Sequence, residues 1–307
     1  MRILFMGTPE FAVPSLRILL DHSYEIPGVV TAPDKPRGRG QHVTCTAVKE
    51  FALQQHLRVY QPEKLNDPVF ISDIQNLTPD LIVVVAFRIL PREVFTIPKN
   101  GSFNLHASLL PKYRGAAPIN WAIINGEKES GVTSFFLQDK VDTGSILLQA
   151  RVNIDDDETA GELHETLSEV GAEIVLQTVR LIELGRAQPR SQNEPLASVA
   201  PKIFKTDCRI DWTKPSSQIH NLVRGLSPSP ASWTIHNGKT VKVFRTRIAA
   251  APTPNPGVVL ERTNDSLIVG TGEGAVSLLE IQQEGKRRLG IEEFLRGYKI
   301  ETGELFE

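Results

Sequence analysis

Apolar positions come in short unbroken runs over the first part of the chain, each followed by a stretch of wider spacing. Ile3–Met6 is such a run and ends at Gly7-Thr8-Pro9. Behind it Phe11, Val13, Leu16, Leu19 and Leu20 recur at the spacing of one helix face. Gly28–Thr31 predicts a second strand and Thr46–Gln55 a second helix. Leu81–Ala86 is apolar at every position, as expected of a strand buried on both faces. Gly101–His106 and Val132–Leu137 predict two more strands. This alternation predicts a parallel, doubly wound α/β sheet. In such sheets ligands sit beyond the carboxyl ends of the strands.

The pattern then changes twice. Leu163, Leu167, Val170, Ile174 and Leu181 keep helical spacing across Glu158–Gly185. Asp155, Asp156 and Asp157 precede them and suit the positive end of a helix. Gln188–Pro201 carries Pro189, Pro195 and Pro201 among Ser, Gln and Asn, and reads as an extended linker. Beyond Arg209 the apolar runs are short: Val241–Phe244, Ser266–Val269 and Val276–Ile281. Turn signals stand at Asn237-Gly238 and Asn255-Pro256-Gly257. They predict a small β domain of barrel type with one helix near Ser216–Arg224. The expected division is a first domain over 1–188, a linker over 189–206 and a second domain over 207–307.

Composition adds bounds. The chain has 307 residues, 40% hydrophobic and 23% charged, which is enough for a full core in one large domain or two. A net charge of −2 advertises no global field for nucleic acid, though a local patch is compatible with it. Cys45 and Cys208 have no metal or disulfide spacing, so free thiols in a reducing, cytoplasmic setting are expected. The first apolar run is too short for a signal peptide, and no stretch approaches the ~20 apolar residues of a membrane span. His22, His42, His56, His164, His220 and His236 lack ligand spacing and read as surface or loop residues. No catalytic metal is expected.

The sharpest chemistry lies at Asn104-Leu105-His106 and Asp142-Thr143-Gly144. Two residues apart on a strand, Asn104 and His106 project from one face. An amide donor beside an imidazole suits a carbonyl that becomes an oxyanion while protons move. Asp142 is the candidate carboxylate to orient or charge the histidine. The bland alternative is a satisfied sheet histidine with two polar neighbours. The turn chemistry of Ser108–Pro118 right after the pair weighs against it, because small residues there let backbone approach a ligand. Gly7-Thr8-Pro9-Glu10-Phe11 lacks the dinucleotide fingerprint, and there is no P-loop. Asp34–Gly40 holds Lys35, Arg37 and Arg39 with two glycines, which suits either a solvated loop or one that seeks phosphate. Residues 209–247 hold seven cations against the single acid Asp211, and this segregation raises the odds of a polyanion partner. Trp212 and Trp233 read as core.

Three segments together resemble the folate-dependent formyltransferases: Asn104–Pro111, Tyr113-Arg114-Gly115-Ala116-Ala117-Pro118-Ile119, and Asp142-Thr143-Gly144. Gly7–Ala12, Pro33–Gly40, Val83–Phe87 and Arg209-Ile210-Asp211-Trp212 fit the same family, so the likeness covers nearly the whole chain. The resemblance implies a Rossmann-like catalytic domain followed by an OB-like β-barrel that contacts tRNA. It implies formyl transfer from 10-formyltetrahydrofolate to the α-amino group of methionyl initiator tRNA, by a monomer, with Asn104, His106 and Asp142 catalytic. It places the folate-side residues at Phe87, Ile89, Leu90, Ser108, Leu109, Leu110 and Pro111. It places tRNA contacts in the loop Asp34–Val43, through Lys35, Arg37 and Arg39, and on Arg209, Lys242 and Arg245. One departure stands out: Phe87-Arg88-Ile89-Leu90-Pro91 is one residue shorter than the family's folate-side loop. A formyltransferase for a small amine, such as an amino sugar or purine precursor, would share the catalytic trio without requiring the basic second domain. A non-catalytic RNA-binding protein on the same scaffold would not require the trio.

Overall fold

A computed structural model describes residues 1–37, 42–251 and 255–307, apart from the side chains at 36, 37, 42 and 43. β1 (Arg2–Gly7), α1 (Val13–Asp21) and β2 (Glu25–Val30) open the chain. β3 (Lys35–Arg37) and β4 (His42–Thr44) pair antiparallel ahead of α2 (Ala47–Gln54). Next come β5 (Val59–Tyr60), α3 (Pro68–Asn76), β6 (Leu81–Val85), α4 (Arg92–Phe95) and β7 (Ser102–His106). They are followed by β8 (Arg114–Gly115), α5 (Pro118–Ile124), β9 (Glu129–Phe136), β10 (Ile146–Asn153), α6 (Ala160–Glu183) and β11 (Val199–Ala200). The last third contains α7 (Ser216–Leu226), β12 (Ser232–His236), β13 (Lys239–Ala249), β14 (Val259–Arg262), β15 (Leu267–Gly270), β16 (Ala275–Gln283), β17 (Leu289–Gly290) and α8 (Ile291–Gly297). No helix among the described residues is long and apolar enough to cross a membrane.

The chain forms two units. The first takes Met1–Gly115, Ser130–Val152 and His164–Val199. Its sheet has the order β10-β9-β7-β6-β1-β2-β5. The pairs β5–β2, β2–β1, β1–β6 and β6–β7 are parallel, as the alternating pattern requires. β9 departs from that pattern: it starts beside the end of β7 and runs back antiparallel, with His106 opposite Thr133. All five residues of β6 are buried, which accounts for its unbroken apolar sequence. Thr46 caps α2 by accepting from the Lys49 amide at 3.1 Å. Asp67 caps α3 from the Val69 amide at 2.8 Å, with Pro68 at the first helical position. Strand order reverses at β1, so a ligand crevice belongs at the carboxyl ends of β1, β6 and β7.

The second unit takes Ala116–Glu129, Asn153–Leu163 and Ala200–Glu307. Its antiparallel sheet has the order β12-β13-β16-β15-β14, with β17 on β16. Closure comes from the chain's last residues. Phe306 donates its amide to the Gly257 carbonyl at 2.8 Å, and Glu307 donates to Ile235 at 2.9 Å. Glu304–Glu307 thereby bridge the two edge strands and remove the open edges, giving a barrel of OB type. The core holds Trp212, Val241, Val243, Leu278, Ile281 and Phe306. Two histidines expected at the surface are internal. His236 is fully buried, with Nδ1 2.8 Å from the Tyr298 hydroxyl and Nε2 3.0 Å from Glu304. His220 is buried on α7 between Thr246 and the Asp156 carbonyl. Both have polar partners, so burial leaves no ring nitrogen without one.

Candidate functional site

β7 lies between β6 and β9, with Asn104 opposite Val84 and Phe135. Phe103 and Leu105 bury one face of the strand, and Asn104 and His106 project from the other. His106 is buried, and its Nε2 lies 2.8 Å from the Tyr113 carbonyl oxygen. A carbonyl only accepts, so Nε2 carries the proton and Nδ1 is the nitrogen left for other work. Asp142 Oδ2 stands 3.9 Å from Nδ1, close enough for charge interaction and too far for a hydrogen bond. The Tyr113 carbonyl therefore orients the ring, a role the sequence suggested for Asp142, and the Asp142 carboxylate supplies charge. Among the described residues nothing engages the Asn104 side-chain amide, whose two N–H groups stay available.

The backbone around this pair is unusual. Ala86 (φ 47°), Tyr113 (φ 60°) and Asp142 (φ 55°) are non-glycine residues in the left-handed region. Such conformations cost ~1–3 kcal/mol each and cluster at functional sites. Gly115 has φ 123°, and its amide donates to Asp142 Oδ2 at 2.9 Å. A Cβ at Gly144 would lie 1.6 Å from the Phe136 carbonyl oxygen, so the 142–144 turn packs against β9 only with glycine there.

The folate-side residues divide by what their side chains do. Ser108 donates to the Lys112 carbonyl at 2.6 Å. Thr133 Oγ1 donates to the Ser108 carbonyl at 2.6 Å and accepts from the Leu110 amide at 3.1 Å. Leu110 packs into a small core with Phe135 and Ile146, and Leu90 into the main core beside Val94. Ser108, Leu90 and Leu110 thus shape the loops from behind. Phe87, Leu109 and Pro111 are half-buried, and Ile89 is 73% exposed, so these four have surface to offer a ligand. Arg88 braces the short loop: its guanidinium donates to the carbonyls of Glu63 at 2.9 Å and Pro62 at 2.8 Å.

The predicted RNA-binding cations also divide. Lys35 is exposed on β3. Arg39 and the Arg37 side chain lie outside the described residues. Arg209 and Lys242 are exposed. The Arg209 guanidinium stands 5.7 Å and the Lys205 ammonium 5.9 Å from the centre of the Trp233 ring. Lys242 is directly opposite Trp233 across β12 and β13. Arg245 instead pairs with Glu162 and Glu280. Arg224 is 3% exposed and donates to the Asp155 and Glu158 carbonyls at 3.1 and 3.2 Å. The cations of 209–247 therefore do not form one continuous face. Trp212 is core, as read; Trp233 is half-buried beneath cations. The sequence reading missed Gln192, which the fold attaches to the Asp142 turn; its only signal was a polar residue in a proline-rich stretch.

Residues 1–179 match the formyl transferase family, and residues 202–299 match the formyl transferase C-terminal domain. Fold, site and both matches define the class as a two-part formyl transferase. The chain is 47% identical over 310 residues to the methionyl-tRNA formyltransferase of Caldanaerobacter subterraneus subsp. tengcongensis, covering 100% of each chain. It is 50% identical over 312 residues to that of Chlorobium luteolum, covering 99% of each. The chain belongs to the methionyl-tRNA formyltransferase family. Among solved structures, an N-formyltransferase from Helicobacter canadensis in complex with folinic acid and dTDP-3-aminofucose superposes with TM-score 0.70 at 21% identity, covering 94% of this chain and 99% of that one. HypX from Aquifex aeolicus in complex with tetrahydrofolic acid gives TM-score 0.67 at 21% identity, with 99% of this chain spanning 50% of that longer one. These two share the fold.

Proposed function

We propose that this chain transfers the formyl group of 10-formyltetrahydrofolate to the α-amino group of methionyl initiator tRNA. The observation that carries the reading is the Asn104 amide, unengaged among the described residues, beside a His106 ring fixed through Nε2. Full-length relatives at 47–50% identity bear the name of that activity. For the donor, Phe87, Ile89, Leu109 and Pro111 offer apolar surface next to the polar pair, which suits a flat heteroaromatic ring carrying a reactive acyl group.

The transfer is direct, with no covalent enzyme intermediate. The neutral amine attacks the formyl carbon, and its oxygen becomes an oxyanion. Asn104 donates to it. His106 donates from Nδ1, which holds a proton only while the ring is charged, because Nε2 is committed to Tyr113. Asp142 Oδ2, 3.9 Å from Nδ1, places a carboxylate beside that nitrogen. Through water, the same carboxylate helps take the excess proton of the amine. The oxyanion then collapses, the bond from the formyl carbon to the folate nitrogen breaks, and that nitrogen leaves protonated as tetrahydrofolate. No serine or cysteine nucleophile is required.

In this reading residues 1–188 carry the chemistry, 189–206 connect while bracing the 142–144 turn through Gln192, and 207–307 hold RNA. Lys35, Arg37 and Arg39 on one unit and Arg209 and Lys242 on the other contact phosphate. Arg245, already held by two glutamates, is outside that set. Single-turnover formylation of methionyl initiator tRNA tests the proposal. Fast transfer by the wild type and a loss of ~10²–10³ in His106→Ala support it. No transfer by the folded wild type would redirect the search to a small amine acceptor. Failure of uncharged tRNA to compete would do the same.

A further inference from the structure

The turn that carries Asp142 is held by a side chain from the proline-rich segment. Gln192 Nε2 donates to the Asp142 carbonyl at 2.8 Å and to the Gly144 carbonyl at 2.9 Å. Its Oε1 accepts from Arg114 Nε at 3.1 Å and Nη2 at 2.6 Å. Arg114 has donors only, so the oxygen of the Gln192 amide must face it and the NH2 group must face the turn. The orientation of the amide is thus dictated by chemistry. Arg114 is fixed in turn by both carboxylate oxygens of Glu194, at 3.0 and 2.7 Å. Its own backbone leads into Gly115, whose amide donates to the Asp142 carboxylate. Arg190 and Ile146 exchange backbone hydrogen bonds at 2.8 and 2.9 Å, tying the same segment to the far side of the turn.

We propose that Gln192 is a positioning residue for Asp142, with Arg114 setting the direction of its amide. The inference rests on the reading that Asp142 serves catalysis. Gln192 acts through the backbone: its two donors hold the carbonyls at 142 and 144 while Asp142 stays at φ 55°. Without them the turn relaxes toward ordinary backbone conformations, and the carboxylate leaves its station beside His106. Displacement by about an ångström costs up to ~10²-fold in rate.

The test compares Gln192→Ala, Gln192→Glu and Asp142→Asn in full-length enzyme, using single-turnover formylation, KM for both substrates, and thermal unfolding. Gln192→Ala should lower kcat by roughly ten- to a hundredfold, with both KM values within about twofold and the unfolding temperature little changed. Gln192→Glu turns a carboxylate toward two carbonyls and should be at least as slow at neutral pH. Relative to the wild type at the same pH, it should recover as acid protonates the new side chain and restores a donor. In an Asp142→Asn background, Gln192→Ala should add no further loss. An impaired Asp142→Asn with a normal Gln192→Ala overturns this inference alone. A normal Asp142→Asn removes the catalytic reading of Asp142, and this inference with it. If Gln192→Ala fails to fold, the absence of acid recovery in Gln192→Glu overturns the inference on its own.

Discussion

The turn at 142–144 and the segment 209–247 both read as polar concentrations in the sequence, and the fold treats them differently. Around the turn, polar groups converge from three separate stretches: Asp142, Arg114-Gly115 and Gln192 bind one another, and among the described residues nothing engages the Asn104 amide. Along 209–247 one basic run is dispersed. Arg224 goes inside, Arg245 is neutralised, and Arg209 and Lys242 stay at the surface around Trp233. Convergence of distant residues marks the candidate site better than local density of charge does.

The largest expected effect tests the converged region. Asn104→Ala or His106→Ala should lower kcat by ~10²–10³ with folding intact. Near-normal turnover by either would break the contrast by leaving the turn without a function. The next test falls on the dispersed region. Arg224→Ala strands the Asp155 and Glu158 carbonyls and should cost about 2–3 kcal/mol in urea unfolding. It should leave the KM for tRNA unchanged; a raised KM in a stable variant would return Arg224 to the RNA-facing set.

Smaller effects sharpen the division of cations. Arg209→Ala and Lys242→Ala should each raise KM for tRNA and each reduce the slope of log KM against log salt by about 1. Arg245→Ala should change that slope less, because its charge already faces Glu162 and Glu280. Equal slopes for all three would restore a continuous basic face.

The smallest effect concerns Asp34, at the base of the basic loop. Hydrogen bonds from Lys49 and then Gln61 hold its carboxyl below the usual carboxylate range. A lowered value means the contribution is complete above the ordinary range and is lost as pH falls through the lowered value. The protection of the Lys35 amide, its intrinsic exchange rate at each pH divided by the observed rate, should therefore fall in acid in the wild type. In Asp34→Asn that protection should be lower at neutral pH and flat across that window. A flat wild-type profile would show that Asp34 does not anchor the loop.

Much of the first unit was legible because its strands are buried on both faces. Leu81–Val85 and Ser102–His106 carry little but apolar residues outside the site, so burial and sequence coincide. β10 was missed because it alternates along the sheet edge and begins right after the glycine turn. α3 was missed because only Phe70 and Ile74 of its apolar residues are buried and the helix is too short to repeat that period, although the Asp67-Pro68 start is a sound helix signal. His236 was misread because its partners, Tyr298 and Glu304, lie over sixty residues away.

The sequence by itself determined the period of the strands buried on both faces, the two-residue spacing of Asn104 and His106, and the family. These depend on neighbours along the chain, where side-chain direction follows from backbone geometry. Only the tertiary structure decided which nitrogen of His106 is committed, that Asp142 stands 3.9 Å from the other, and that Gln192 reaches the turn. The same holds for the fate of each cation in 209–247. A hydrogen bond or a desolvated charge depends on distances of a few ångströms between residues far apart in the chain, and a one-dimensional pattern does not encode those distances.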